Sequence, residues 1–454
     1  MKNIYILLLI TISNLQVIYS QCWNSYSSAA NSSAIIKTDG SIWTCGWNGN
    51  GQLGDGTLNN NYSLTQIGND INWQKVFGGS DNTFSIKSNG TLWACGRNDV
   101  GQLGDGTNVI KMTLTQIGSE TNWKTISVGW DFVLALKNDG TLWAWGKNNA
   151  RQLGDGTTID KNIPIQIGAS NDWSVISAGW SSGFAIKNDG TLWGWGSNGF
   201  GQLGNGTGTY NSTPIRIGLD NNWAKISSGR SQSLAIKTDG TLWAWGSNSY
   251  GQLGDGTNID KATPVQIGSS TNWQSVQTEN FFTASIKTDG TLWAWGSNNY
   301  GQLGDGTTVN KNSPNQIGVE TNWLSVDLGW YHGRALKSDG TLWNWGYNGD
   351  GVLGDGTNNH RYTPIQLNCT TLSLETKTLL TPFYIYPNPV GEILNIKTVD
   401  EIIERVIITD STGKVVLDKN SNLTTLNIQN LQKGIYFLRL ISGNKNYTEK
   451  ILKI

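Results

Sequence analysis

The sequence predicts an all-β protein, a seven-bladed β-propeller followed by a small β-sandwich. Three observations lead there: a repeat of fixed period, a strand-and-turn pattern inside each repeat, and a tail from which the repeat is absent. Trp23, Trp73, Trp123, Trp173, Trp223, Trp273 and Trp323 recur every 50 residues, and Gly40, Gly90, Gly140, Gly190, Gly240, Gly290 and Gly340 keep the same period. All 23 tryptophans fall between Trp23 and Trp345, which separates the array from the tail.

Within one unit, Thr283–Lys287 and Thr291–Trp295 alternate apolar and polar residues around Thr288-Asp289-Gly290, the pattern of a β-hairpin. Asp-Gly and Asn-Gly at this position predict a primed turn, with glycine supplying the positive φ. Further strands are expected around Trp273–Val276 and Pro314–Ile317, giving four short strands per unit, the content of a propeller blade. Pro164, Pro214, Pro264, Pro314 and Pro364 lack an amide donor, so the strand that carries them belongs at a sheet edge.

The run Leu292-Trp293-Ala294-Trp295-Gly296-Ser297-Asn298-Asn299-Tyr300-Gly301-Gln302-Leu303-Gly304-Asp305-Gly306-Thr307 recurs in all seven units. It departs notably at Arg151, Asn205 and Val352. It resembles the signature of the regulator-of-chromosome-condensation repeat family, over roughly Cys22 to Leu367. The resemblance implies a seven-bladed propeller, in a family that ranges from nuclear nucleotide-exchange factors to secreted bacterial inhibitors of other proteins.

The first twenty residues join Lys2 to an apolar run from Ile4 to Ile12 and end at Tyr19-Ser20, the pattern of a signal peptide. Asn14 and Gln16 break the run too early for a membrane span, and Gln21 stands where lipid attachment to Cys22 would need a small residue. Export exposes four cysteines to an oxidising compartment. Adding seven periods to position 22 gives 372, so Cys369 falls beside Cys22 on a closed ring, and a Cys22–Cys369 disulfide is expected. Cys45 and Cys95 occupy the phase of Trp145, Trp195, Trp245, Trp295 and Trp345, and their pairing is left open.

The 32 basic and 33 acidic residues nearly cancel, which removes the counterion-release term that drives nucleic-acid binding. The chain holds only two histidines, His332 and His360, no nucleophile elbow, no phosphate loop and no metal-ligand spacing. No catalytic residue, cofactor or metal is therefore assigned. Asp55, Asp105, Asp155, Asp255, Asp305 and Asp355 each stand alone between glycines, and Asn205 replaces the fourth of the series. That spacing fits turn formation better than calcium binding, which clusters several oxygens in one segment.

Identical positions in a repeat build the scaffold, and differing ones carry function. One variable phase holds Asp81, Trp130, Asp131, Phe132, Trp180, Arg230, Asn280, Phe281, Phe282, Trp330, Tyr331 and His332. A second holds Asn50, Val100, Ala150, Phe200, Tyr250, Tyr300 and Asp350. Loops of one phase emerge on one face of the disc. The first set is therefore expected to surround the central axis as a binding face, or else to plug the channel.

The tail alternates apolar and polar residues through Ile393–Lys397, Val406–Asp410 and Ile435–Leu440, as a small β-sandwich does. Tyr386-Pro387-Asn388-Pro389, Gly413-Lys414, Gly434 with Tyr436, and Lys450 with Lys453 near the end resemble the type-A sorting domain of bacterial type IX secretion. The resemblance implies outer-membrane translocation in a Bacteroidetes-type bacterium, with the product released or held at the cell surface.

The chain thus divides into a signal peptide (1–20), a propeller (21–369), a linker (370–382) and a sorting sandwich (383–454). The expected function is monomeric, secreted or surface-bound recognition of a protein or glycan, with the type IX machinery engaging the tail and no nucleic acid or transmembrane segment involved. The alternatives are a secreted enzyme such as a carbohydrate-active hydrolase, which would need two converging carboxylates, and a passive spacer.

Overall fold

The computed structural model describes residues 22–369, 383–398, 403–420, 424–443 and 445–454. The signal peptide and linker expectations fall on residues outside these. The described residues are all-β, and the chain forms two units, Met1–Cys369 and Thr370–Ile454.

The first unit consists of seven four-stranded antiparallel sheets, each a simple meander in chain order. Blade 1 runs through Trp23–Ser28, Ser32–Lys37, Ile42–Gly46 and Asn61–Gln66, and the later blades repeat it. The first strand of each blade is innermost and packs against the first strands of its neighbours. That of blade 7, Trp323–Leu328, meets that of blade 1 and completes the ring. The prolines lie on the outermost strands, such as Lys311–Gln316, where one side of the ladder is unpaired.

The hairpin turn differs from the primed form expected. Gly40 N–H donates to Lys37 O, Lys37 N–H to Ser41 O, and only Gly40 of the loop has positive φ, at 81°. This is a three-residue loop, a type I turn followed by a left-handed glycine. A Cβ at Gly40 would sit 2.0 Å from Ile71 O, so space as well as φ demands glycine.

Hydrophobic layers lie between blades. Phe282, Ile286, Leu292 and Leu303 of blade 6, for example, pack against Trp323, Val326 and Trp345 of blade 7. Trp145, Trp195, Trp245, Trp295 and Trp345 are wholly buried, and each donates its indole N–H to the carbonyl of the glutamine in the preceding blade's Gly-Asp-Gly loop. Cys45 and Cys95 stand in for this tryptophan in blades 1 and 2. Both are buried free thiols, with Sγ 3.5 Å from Val352 O and Gln52 O respectively. Opposite Cys45, the room left by the smaller side chain is taken by Arg334, fully buried and bonded through Nε to Asn344 Oδ1 at 2.7 Å.

The aspartates of the Gly-Asp-Gly loops serve their own turns. Asp105 Oδ1 accepts from the Thr107 amide and hydroxyl and from Asn98 Nδ2, and Lys111 lies 3.2 Å from Oδ2. Asn205 makes the same three neutral bonds. The ring is fastened by the Cys22–Cys369 disulfide, which joins residues 347 apart in sequence.

The second unit has two sheets. One orders Phe383–Tyr386, Ile393–Thr398 and Thr425–Asn427; the other orders Val415–Lys419, Arg405–Asp410, Gly434–Ser442 and Lys445–Lys453. Val390, Leu394, Ile396, Val406, Ile408, Leu438, Leu440 and Ile451 form the core. The resemblance-bearing residues fold together here: Asn388 Nδ2 donates to Lys450 O, the Leu452 amide donates to Asn388 Oδ1, and Tyr436 OH donates to Gln432 O. Gly413 takes φ 87° in a turn capped by Asp410.

Candidate functional site

The inner strands set the geometry of the axis. Ser27, Ser127, Ser177 and Ser227 each turn a hydroxyl inward, where it accepts the amide N–H of the next blade's inner strand at Gly78, Ala178, Ser228 and Thr278, at 2.9 to 3.0 Å. Asp327 takes this role at the closing seam, its Oδ2 accepting from the Ser28 amide at 2.6 Å. Phe77 and Gln277 fill the remaining positions of the phase.

Beyond these strands the chain turns out onto one face. There the backbone runs on circumferentially, with Ala30 N–H donating to Gly79 O, Trp180 N–H to Gly229 O, and Trp330 N–H to Ala30 O. Trp180 and Trp330 stand on this bonded backbone, and with Trp130 they converge near the axis. Trp130 lies 3.9 Å from Trp180 and 4.6 Å from Trp330 between centroids, with planes within 8° of parallel, and Trp180 and Trp330 are 6.0 Å apart. The exposed Arg230 places its guanidinium 4.0 Å from the Trp180 ring and 5.0 Å from Phe281. The trio closes the channel on this face, over a small void of about 40 Å³ whose lining includes Ser28, Ser80 and Glu279.

Around the trio the face is unequal. On one side Phe281 meets Tyr250, Tyr331 meets Tyr300, and Tyr347 lies over His360. On the other, Arg97 bonds Asp131 at 2.9 Å and Asp99 at 2.8 Å and stands 3.8 Å from Asp81, while Lys147 reaches Asp131 at 3.2 Å. Burial pushes the Asp81 carboxyl above the usual range.

Of the residues picked from the sequence, Trp130, Trp180, Trp330, Arg230, Phe281, Tyr331 and Asp81 share this face. Asp131 lies at its edge, but its carboxylate is sealed between Arg97 and Lys147, with 3% exposure. Phe132, Phe282 and His332 are corrections, because they begin the second strands and point into the blade interior at 0% exposure. Asn280 is buried too, at φ 31° in the tight turn. Arg97, Lys147, Tyr347 and His360 escaped the sequence reading, although Arg97, Lys147 and Tyr347 share a phase at which other blades carry serine or tryptophan.

Behind the trio, the channel holds a polar cavity of about 230 Å³ lined by Ser27, Ser127, Ser177, Ser227, Gln277, Thr278, Glu279 and Asp327 among others. Burial pushes the Glu279 carboxyl up to about 8, with Asp327 nearby adding to the effect, and pushes Asp327 up to about 6. Neither was singled out from the sequence. The signal was there: Glu279 replaces glycine or alanine at its phase, and Asp327 replaces a mostly serine phase.

A family model for the regulator of chromosome condensation (RCC1) repeat matches residues 39–86, 89–136, 139–186, 189–236, 239–286 and 289–336, and a second RCC1 repeat model matches four spans between 73 and 252. A secretion system C-terminal sorting domain matches residues 384–454. No curated protein matches the sequence. Among solved structures, human WBSCR16 is similar at 19% identity and TM-score 0.66, covering 73% of this chain and 95% of its own. Prp20p of Saccharomyces cerevisiae is similar at 18% identity and TM-score 0.67, covering 77% and 89%. Yeast RCC1 (Prp20) bound to Kap60 is similar at 17% identity and TM-score 0.65, covering 84% and 92%. Each matched span takes the outer two strands of one blade and the inner two of the next, so seven contiguous blades yield six whole spans. With these repeats over most of its length, the chain belongs to the regulator of chromosome condensation repeat family and ends in a secretion-system sorting domain.

Proposed function

We propose that the chain is an exported binding protein whose propeller engages a protein partner through the face around Trp130, Trp180 and Trp330. The sorting domain marks it for type IX secretion, and no helix among the described residues is long and apolar enough to cross a membrane. The observation that carries the reading is the cluster of half-buried aromatics with exposed Arg230, on loops tied between blades by backbone hydrogen bonds at Trp180 and Trp330. Tryptophan, tyrosine and arginine are the residue types that dominate protein hot spots. The indole faces are turned onto one another and onto Arg230, which leaves little open ring for a sugar to stack upon and favours a protein over a glycan. The similar yeast propellers bear on this as well, since Prp20p binds Gsp1p and histones and yeast RCC1 (Prp20) is bound by Kap60.

The test is capture from the secretome and from neighbouring cells with the full secreted chain, beside an Arg230→Glu, Tyr331→Ala variant. A partner retained by the parent and lost by the variant supports the reading; equal capture by both overturns it.

A second reading, a hydrolase, is favoured by Glu279 and Asp327 lining one cavity. Against it, Asp327 is committed to the Ser28 amide and tryptophans close the face end. Glycoside turnover abolished by Glu279→Gln would establish the enzyme instead.

A further inference from the structure

The grooves between blades carry a repeated device that is incomplete in blade 6. At the end of the second strand in each of the six blades from Trp73 onward a lysine ammonium lies over two tryptophan rings, as Lys237 does over Trp223 and Trp243 at 4.8 and 3.9 Å. In five of the six blades from Trp73 onward a carboxylate completes the arrangement. Lys87 pairs with Asp70 at 2.6 Å, Lys137 with Glu120 at 2.5 Å, Lys187 with Asp172 at 3.0 Å, Lys237 with Asp220 at 2.8 Å and Lys337 with Glu320 at 3.7 Å.

Lys287 is the exception. Its ammonium sits 4.6 Å from the Trp273 centroid and 4.3 Å from that of Trp293, yet among the described residues only the Ser270 hydroxyl accepts from it, at 3.3 Å. Ser270 stands where blades 2 and 5 carry Asp70 and Asp220, and Asn272 stands where blade 4 carries Asp172. Of the nearby acids, Asp255 pairs with Lys261 at 3.0 Å, and Asp289 caps its own turn through Thr291, interacting with Lys287 through charge without an ion pair.

The vacancy opens onto a groove of about 400 Å³, lined by Lys287, Trp273, Trp293, Gln266, Ser270 and Pro314 among others. In the counterpart groove of blade 7 the lining includes Glu320 and not its lysine. The missing acid therefore turns Lys287 from an internal partner into a groove-lining cation. We propose that this groove binds a carboxylate supplied from outside, whose anionic group takes the place held by Asp70 and Asp220 while its carbon body rests on Trp293. The two tryptophan faces and the ammonium are already fixed by the fold, so the ligand meets a formed site. An acidic amino-acid side chain and a uronic acid share this chemistry.

The experiment titrates the full secreted chain with methyl β-D-glucuronide and with N-acetyl-glutamate N-methylamide, using methyl β-D-glucoside and the glutamine amide as neutral controls. The indole N–H resonances of Trp273 and Trp293 are followed by NMR. At least one acid should shift them with a dissociation constant on the order of 1 mM, and its neutral counterpart should not. Whichever acid binds more tightly identifies the source. Ser270→Asp restores the sibling arrangement, so it should fold normally and weaken the acid at least tenfold. Equal binding by the parent and Ser270→Asp, or no response of the parent to either acid, overturns the proposal.

Discussion

The amide of Ser28 donates to the carboxylate of Asp327 at 2.6 Å, across 299 residues of sequence, and this bond is the counterpart at the closing seam of the side-chain-to-amide bonds that join four other pairs of neighbouring inner strands. In those four the acceptor is a serine hydroxyl; at the seam, where chain continuity cannot hold the blades in register, it is a charged group, which makes the stronger bond.

Replacing Asp327 with alanine should lower unfolding stability by about 2–3 kcal/mol, against about 1 kcal/mol for Ser227→Ala, because a bond to a charged acceptor is lost and a buried amide is left unpaired. Denaturant midpoints of the two variants measure the difference.

Stability should fall between about pH 6.5 and 8, chiefly through Glu279. Its buried carboxyl is raised to about 8 and that of Asp327 to about 6, both above the unfolded values of about 4. The folded state keeps protons that the unfolded chain releases, so this stabilisation is complete below about pH 4 and is lost as pH rises through each folded value. His332 acts oppositely. Burial lowers it to about 3, so its contribution is present above about 6.5 and lost as pH falls. Between about pH 6.5 and 8, below the range in which Cys45 and Cys95 ionise in the unfolded chain, Glu279 dominates, and Glu279→Gln should flatten the thermal midpoint there.

Trp130 neighbours both other indoles of the trio. Trp130→Ala should weaken partner binding by about 2 kcal/mol or more, roughly thirtyfold or greater, while Phe200→Ala, on the same face but apart from the cluster, should change it by less than about threefold. Binding isotherms against the captured partner decide between them.

Reduction of the Cys22–Cys369 bond, or the Cys22→Ser, Cys369→Ser pair, should destabilise the propeller by up to about 5 kcal/mol, since the loop it closes is very long. Cys45 and Cys95 should resist alkylation at pH 8 until the chain unfolds, because burial pushes their thiols up to about 11 and about 12. Thermal melts with and without reductant, and mass-resolved thiol labelling, report the two effects separately.

The scaffold was legible because its rules are local. Gly40 and its equivalents marked the hairpins, Pro314 and its equivalents the edge strands, and the arithmetic of seven periods brought Cys369 to Cys22. The face was legible only to the level of the loop. Phase placed Trp130 and Trp330 on one side of the disc, but their mutual stacking depends on converging backbone from blades 200 residues apart, which no single repeat encodes. The same coarse phase misplaced Phe132, Phe282 and His332, since one residue further along the chain a strand begins and the side chain turns inward. Glu279 and Asp327 were overlooked for a related reason: a departure from consensus is visible in sequence, but whether it faces the axis is decided by strand register.

The Cys22–Cys369 bond also determines how this ring bears mechanical load. Traction on the chain after Cys369 would otherwise act on the outermost strand of blade 7, Arg361–Leu367, which is paired on one side and can be stripped one hydrogen bond at a time. With Cys369 tied to Cys22, the same pull is shared with the root of Trp23–Ser28, the innermost strand of blade 1. Unzipping is thereby replaced by shear across a closed hoop.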